Sequence, residues 1–365
     1  MTYESEVIIE RIENSDYWDD VLESFQGGIF MTTAWITAMS NNEREPVYLR
    51  FIRDDKPLAF LGGLEIHLKN GPGRQLFFYS GIATNLPDPA FIRRCKIALY
   101  NYAKKKGYQR ISIRSYDHQS FVPTRITQFK LRKKRKEYVF RLNRNDDSII
   151  NGFSRSVRQR ARKVKREGAV LKKGHSPELI EKLFSLINET SDLRRSKGYG
   201  AYAYLFLPFC TRTEIESLVR DKHASIYYTE LHGEILTIEL FLEYKNKACG
   251  ILMGTSMKGY KIGSPSFHYF EIVKLLKDKG FLYYNVGGVP RSNKHHGLQE
   301  FKGRLGAEVI DSAEEVTNFM TPALGYLNLF LRLKRFLHVV KFLPGRIKRP
   351  LIVFADLIVQ KRDQY

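Results

Sequence analysis

Short apolar runs broken by turn residues fill much of the first third of the chain and return in its second half. Residues 48–68, YLRFIRDDKPLAFLGGLEIHL, set two apolar strands on either side of Asp54-Asp55-Lys56-Pro57. Residues 226–244, IYYTELHGEILTIELFLEY, do the same around His232-Gly233. This spacing predicts two β-hairpins. A further apolar run follows each, LFFYSGIAT in the first case and ACGILMGTS in the second, and each passes into small and polar residues. Helical periodicity takes over in PAFIRRCKIALYNYAKKKG and SPSFHYFEIVKLLKDKG, which carry basic residues near their ends and stop at Gly107 and Gly280. Glycine in that place suits a left-handed helix cap. Strand-like YQRISIRS and FLYYNVGG come directly afterwards.

The order strand, turn, strand, strand, helix, glycine, strand therefore occurs twice, with the two glycines 173 residues apart. That separation is too long for a solenoid repeat and fits two tandem units of one fold. Hairpins followed by a helical crossover predict an α/β protein built on a mixed sheet, with helices on its faces. The units are expected at 1–145 and 146–320, with a basic amphipathic tail at 321–365.

At the junction, residues 146–168 read DDSIINGFSRSVRQRARKVKREG and place Phe153, Val157, Ala161 and Val164 at spacings of four, four and three. This predicts one helix, ending at Gly168, with a narrow apolar stripe facing inward. Arg155, Arg158, Arg160, Arg162, Lys163, Lys165 and Arg166 take up the rest of its surface. In the tail, Arg332, Lys334, Arg335, His338 and Lys341 fall on one half of a helical wheel, and Leu333, Phe336, Leu337, Val340 and Leu343 on the other. A helix of this kind lies in an anionic membrane interface or docks on the body of the protein by its apolar face.

Charge sharpens the picture. The formal net charge is +21, and it is concentrated: residues 130–173 hold 17 Lys/Arg against 4 Asp/Glu, and residues 321–365 hold 9 against 2. The remainder is balanced, at 34 against 33. Basicity confined to two stretches predicts polyanionic partners, whether nucleic acid, anionic lipid or phosphorylated precursors. The acid-bearing N-terminal stretch lacks the apolar core of an export signal, and no uncharged apolar run is long enough to span a bilayer. A cytoplasmic protein, peripheral at the inner membrane face, is expected. Cys95, Cys210 and Cys249 are far apart among apolar neighbours, which suits buried thiols better than disulfides or a zinc site, and no metal is expected.

The segments SRSVRQRARKVKREG, ETSDLRRSKGYG, GFLYYNVGGV and GLQEFKGRLGAEV occur in that order on the duplicated pattern. Together they resemble the FemABX-like branch of the GNAT acyltransferase superfamily, from near residue 27 to about residue 311. The resemblance implies two tandem GNAT-like domains and attack by an amine on an activated acyl carbon. Its best-known members take amino acids from aminoacyl-tRNA to peptidoglycan precursors, and relatives use thioesters. In the tRNA-dependent members a Phe-Lys pair lies near the transfer centre, so the similarity implies Phe301 and Lys302 as catalytic residues. A fixed cation there would stabilise the tetrahedral oxyanion of aminolysis, and a ring beside it would exclude water. Gly287 and Gly288 would let backbone approach the substrate. Arg194 and Arg195 match a region where similar enzymes hold acceptor phosphates, though the same pair also reads as a helix end facing water. Arg291 and Tyr79 are further candidates for substrate binding. The donor is expected to be aminoacyl-tRNA or acyl-CoA, without a tightly bound cofactor. The acceptor would be an amine-bearing envelope or polysaccharide precursor, lipid-linked or free.

Several positions depart from the family's pattern. A lysine one turn after the early tryptophan is replaced by Met39, a glutamine by Met31, and an Arg-Gly-Pro turn by Tyr79-Ser80-Gly81-Ile82. The acid common in the strand before Gly-Gly is Asn285. These argue against a UDP-muramyl acceptor and remove one candidate general base. The loop from Met257 to Pro265 is likewise outside the coenzyme A pattern of ordinary GNAT enzymes. From another class, the alternative is a non-catalytic basic protein that binds nucleic acid or anionic membrane on the same fold.

Overall fold

The computed structural model describes residues 6–67, 73–118, 122–143, 146–196, 198, 207–289 and 296–320. Arg291 and the tail at 321–365 lie outside the described residues. Strand β1 (Ile8–Arg11) and short helices α1 (Trp18–Ser24) and α2 (Thr33–Ala38) lead into the first hairpin, β2 (Arg44–Arg53) and β3 (Lys56–His67). Its turn residues Asp54 and Asp55 both take positive φ, 52° and 57°, the hand that matches the twist of paired strands. There follow β4 (Arg74–Phe78), β5 (Ala83–Thr84), α3 (Pro89–Lys105), β6 (Tyr108–Ile113) and β7 (Leu131–Arg141).

The second unit opens with α4 (Asp146–Gly152), α5 (Arg155–Arg166), β8 (Val170–Gly174), α6 (Pro177–Ser196) and α7 (Arg212–Arg220). The second hairpin, β9 (Ala224–Leu231) and β10 (Glu234–Tyr244), turns at His232 and Gly233, again both at positive φ. Then come β11 (Lys247–Thr255), α8 (Met257–Ile262), α9 (Ser264–Asp278), β12 (Tyr283–Val289), α10 (His296–Arg304) and β13 (Glu308–Val316). Gly107 and Gly280 close α3 and α9 with φ of 76° and 78°, as their place in the sequence predicts.

All the described strands form one mixed sheet, in the order β1-β2-β3-β4-β6-β13-β7-β12-β11-β10-β9-β8, with β5 on β3. The two units meet by exchanging strands. β13, from the end of the second unit, lies between β6 and β7, while β7 pairs with β12 and β13. A boundary at residue 145 thus divides the chain but not the sheet. Alternate residues of the strands feed separate cores: Tyr48, Phe60 and Phe77 pack with Trp18 and Trp35, whereas Val47, Leu61 and Phe78 pack under α3. The first of these cores continues into the second unit through Ile187, Leu218 and Leu240. No helix of the described residues is long and apolar enough to cross a membrane.

The helix expected at 146–168 is two helices. Ser154 is extended (φ −58°, ψ 152°), and its hydroxyl accepts from Val157 N to cap α5. Its own N–H donates to Arg304 O at 2.9 Å. The break lets the chain close on the end of α10, where a Cβ at Gly306 would stand 2.3 Å from Gly152 O. The expected stripe of Phe153, Val157, Ala161 and Val164 is buried all the same. The basic residues of α5 face outward, with only Arg158 half-buried.

Candidate functional site

Parallel pairs of strands are where the two units differ. β4 and β6 stay paired to their ends, Phe78 opposite Ile113. β11 and β12 pair only at Lys247–Cys249 with Tyr283–Asn285. Beyond that point β12 bulges, and its register against β7 shifts between Asn285 and Gly288. Gly287 takes φ 79°, a conformation that costs glycine nothing in Cβ clashes. Asn285 Oδ1 accepts from Gly287 N at 2.8 Å and holds the bulge. The strands part at Gly250 and Gly287: a Cβ on Gly287 would lie 3.5 Å from Gly250 O and 3.6 Å from Lys302 Nζ.

The ammonium at this opening comes from α10. Lys302 is 6% exposed. Its Nζ donates to Val286 O at 2.5 Å, Gly287 O at 3.0 Å and Gly288 O at 3.4 Å. An ammonium has three N–H groups, so all are engaged, the one on Gly288 most weakly. Burial pushes the Lys302 pKa down to about 8, against the pull of Glu239 and Glu137. Phe301 is half-buried and rests on the Tyr269 ring of α9, with centroids 5.9 Å apart. On the other side of Gly288 lies Arg135, whose guanidinium covers Tyr116 at 4.3 Å and donates to Glu314 at 2.9 Å.

An acid from the neighbouring strand stands beside Asn285. Glu137 sits opposite Gly288 on β7. Its Oε2 accepts from Asn285 Nδ2 at 2.8 Å and from Asp117 N at 3.0 Å. Asn285 Nδ2 also donates to Asp117 Oδ1 at 3.0 Å, and Asp117 Oδ2 accepts from Ile29 N at 2.9 Å. Burial, with the Asp117 carboxyl close by, pushes Glu137 up to about 7; burial pushes Asp117 up as well. Ser115 and Asp117 both hold left-handed backbone, φ 51° and 50°, a strained arrangement of the sort found where a side chain must be aimed. Sequence reading missed Asp117, Glu137 and Glu239. Glu137 left a signal as the lone acid in LRKKRKEYVFR, and Glu239 as an acid within the apolar run of TIELFL. Asp117 left none.

The other candidates fall differently. Thr190 Oγ1 donates to Thr255 O and accepts from Thr255 N, so the last turn of α6 stands past the carboxyl end of β11. Arg194 is half-buried there, and exposed Arg195 donates to Asp192 at 2.5 Å. Tyr79 is a correction. It has no exposed surface, its ring packs on Trp35 and Phe77, and its hydroxyl donates to Pro208 O, so it serves the core and not a substrate. At the start of α8 two backbone donors are taken: Glu189 accepts from Met257 N at 2.5 Å and Ser256 Oγ from Gly259 N at 3.0 Å.

No family model and no curated protein sequence matches the chain. Among solved structures it is similar to FemX at a TM-score of 0.65 and 13% identity, over 87% of this chain and 99% of FemX. A conserved protein of unknown function from Bacteroides thetaiotaomicron superposes with a TM-score of 0.50 and 10% identity, covering 85% of this chain and all of its own. L-PGS from Bacillus licheniformis gives 0.49 and 15%, over 88% of this chain and 96% of its own. With 87% of this chain and 99% of FemX superposed, the protein has the fold of FemX, its two units joined in one mixed sheet.

Proposed function

We propose that the protein is an N-acyltransferase that moves an acyl or aminoacyl group from an activated donor to an amine of a cell-envelope or polysaccharide precursor. One observation carries this reading: on a FemX fold, the buried ammonium of Lys302 stands where β11 and β12 part. The amine nitrogen attacks the donor's carbonyl carbon. The oxyanion takes the N–H that Lys302 spends on Gly288 O, the longest of its three bonds. As the C–N bond forms and the bond to the carrier breaks, the proton lost by the amine passes to Glu137 and from there to the leaving group. A carboxylate that titrates near neutral pH suits that exchange.

An acyl-CoA donor held as in ordinary GNAT enzymes needs free backbone N–H groups at the start of α8. Glu189 and Ser256 hold two of those donors, and Glu189 adds a negative charge. This supports aminoacyl-tRNA as the donor, with the basic surface of α5 facing the RNA. Arg194 and Arg291 are assigned to an acidic group of the acceptor, and a lipid-linked acceptor at the inner membrane face rests on the sequence of the tail. Labelled aminoacyl-tRNA and labelled acyl-CoA, each offered with amine acceptors, test the reading. Transfer from charged tRNA is expected, and transfer from neither donor overturns it.

A second reading has its own observation. Arg155, Arg160, Arg162 and Arg166 are exposed and form no ion pair among the described residues. A non-catalytic nucleic-acid binder would need no more than such a surface. It predicts affinity that falls steeply with salt, without sequence preference and without transfer.

A further inference from the structure

Lys302 is a cation removed from water, and carbonyl oxygens alone are weak compensation for its lost hydration. Charged and titratable groups face it from three strands: Glu137 and Tyr138 of β7, the ring of Tyr138 lying 5.9 Å from Nζ, Glu239 of β10 and Cys249 of β11. Arg135 of β7 lies alongside Gly288, its guanidinium 3.0 Å from where a Cβ there would stand. Of these, Glu239 exerts the strongest pull on the ammonium.

The position of Glu239 is unusually constrained. Its carboxylate lies over Gly250, where any Cβ would stand 2.2 Å from Oε1, and Gly250 is the residue whose carbonyl faces Gly287 and, past it, Lys302 Nζ. Oε2 is 3.4 Å from His268 Nε2 and accepts from Tyr284 OH at 3.5 Å. His268 is fully buried, and its Nδ1 is 3.0 Å from Thr229 Oγ1. His268 Nε2 forms no hydrogen bond, so the carboxylate is confined by packing between strand β10, helix α9 and strand β11. Buried polar sets of this kind can often be replaced by apolar residues of similar volume without loss of stability. The polar set is explained by the cation it faces.

We propose that Glu239 is a positioning residue for Lys302: its carboxylate, held against Gly250, keeps the Lys302 ammonium charged at the opening between β11 and β12. The role of that ammonium in transfer rests on the function proposed above; the electrostatic coupling does not. Lysine-labelled full-length protein, with the Lys302 Cε signal assigned by its loss in Lys302→Met, reports the titration directly by NMR. In Glu239→Gln the Lys302 midpoint should fall by about one pH unit, tenfold in proton affinity. Glu239→Asp, which keeps the charge but withdraws it, should fall part of the way. The alkaline limb of the transfer rate should move to lower pH by the same amount. An unmoved Lys302 midpoint in a folded Glu239→Gln protein overturns the proposal, and if that variant fails to fold, an unmoved midpoint in Glu239→Asp does so. A shifted midpoint in a protein that transfers nothing would uphold the coupling and sink the transfer reading.

Discussion

The two units share one order of elements, yet only the second is open. In the first, β4 and β6 run together to their ends, and the space beyond Phe78 is filled by Tyr79 among Phe30, Trp35 and Phe77. In the second, β11 and β12 separate after three residue pairs. The carbonyls of Val286, Gly287 and Gly288, which β11 no longer pairs, are the ones that hold Lys302. The contrast teaches how a duplicated fold divides its labour. One copy keeps its strand ends packed, while the other gives up sheet hydrogen bonds and uses the freed oxygens to seat a charge.

Substitutions in matched places should separate the two copies. The largest effect belongs to Lys302→Met, which should lower turnover by roughly 10²–10³-fold while the protein stays folded by circular dichroism. Near-normal turnover would take Lys302 out of the mechanism. Glu137→Gln should cost about 10²-fold. The pH profile sharpens this. The Glu137 carboxylate is present above about 7 and the Lys302 cation below about 8, so the rate should be bell-shaped with its maximum between those values. It falls on the acid side as Glu137 takes up a proton and on the alkaline side as Lys302 loses one. In Glu137→Gln the acid limb should disappear.

Left-handed glycines give a finer comparison. Gly287→Ala and Gly107→Ala each force a Cβ into positive φ and should each cost roughly 1–2 kcal/mol in chemical denaturation. Only Gly287→Ala should also slow turnover, because its Cβ would lie against Gly250 O and Lys302 Nζ, whereas nothing lies within 4 Å of one at Gly107. Equal turnover in the two variants would show that the bulge is merely structural. Smallest of all, Tyr79→Phe removes the bond to Pro208 O and should lower stability by about 1 kcal/mol with turnover unchanged.

Local chemistry made much of the fold legible. Asp54-Asp55 and His232-Gly233 announce hairpins because those residues tolerate the left-handed turn, and Gly107 and Gly280 announce helix ends for the same reason. The stripe of Val157, Ala161 and Val164 announces a buried helix face. The site was legible only in part. Lys302 and the two glycines after Asn285 could be named from a resemblance, but Glu137 could not. It is 148 residues from Asn285 in the chain and meets it only through the pairing of β7 with β12. Tyr79 was misplaced because an aromatic at a strand end reads the same whether it faces a cleft or a core.

The sequence by itself determined the repeated order of elements, the turns and caps, and the outward basic face of α5, since each depends on neighbours within a few residues. Tertiary structure alone decided the exchange of β7 and β13 across the seam, the break at Ser154, and the two carboxylates, Glu137 and Glu239, that act on Lys302. Those depend on which distant strands pair and in what register, and no short stretch of chain carries that information.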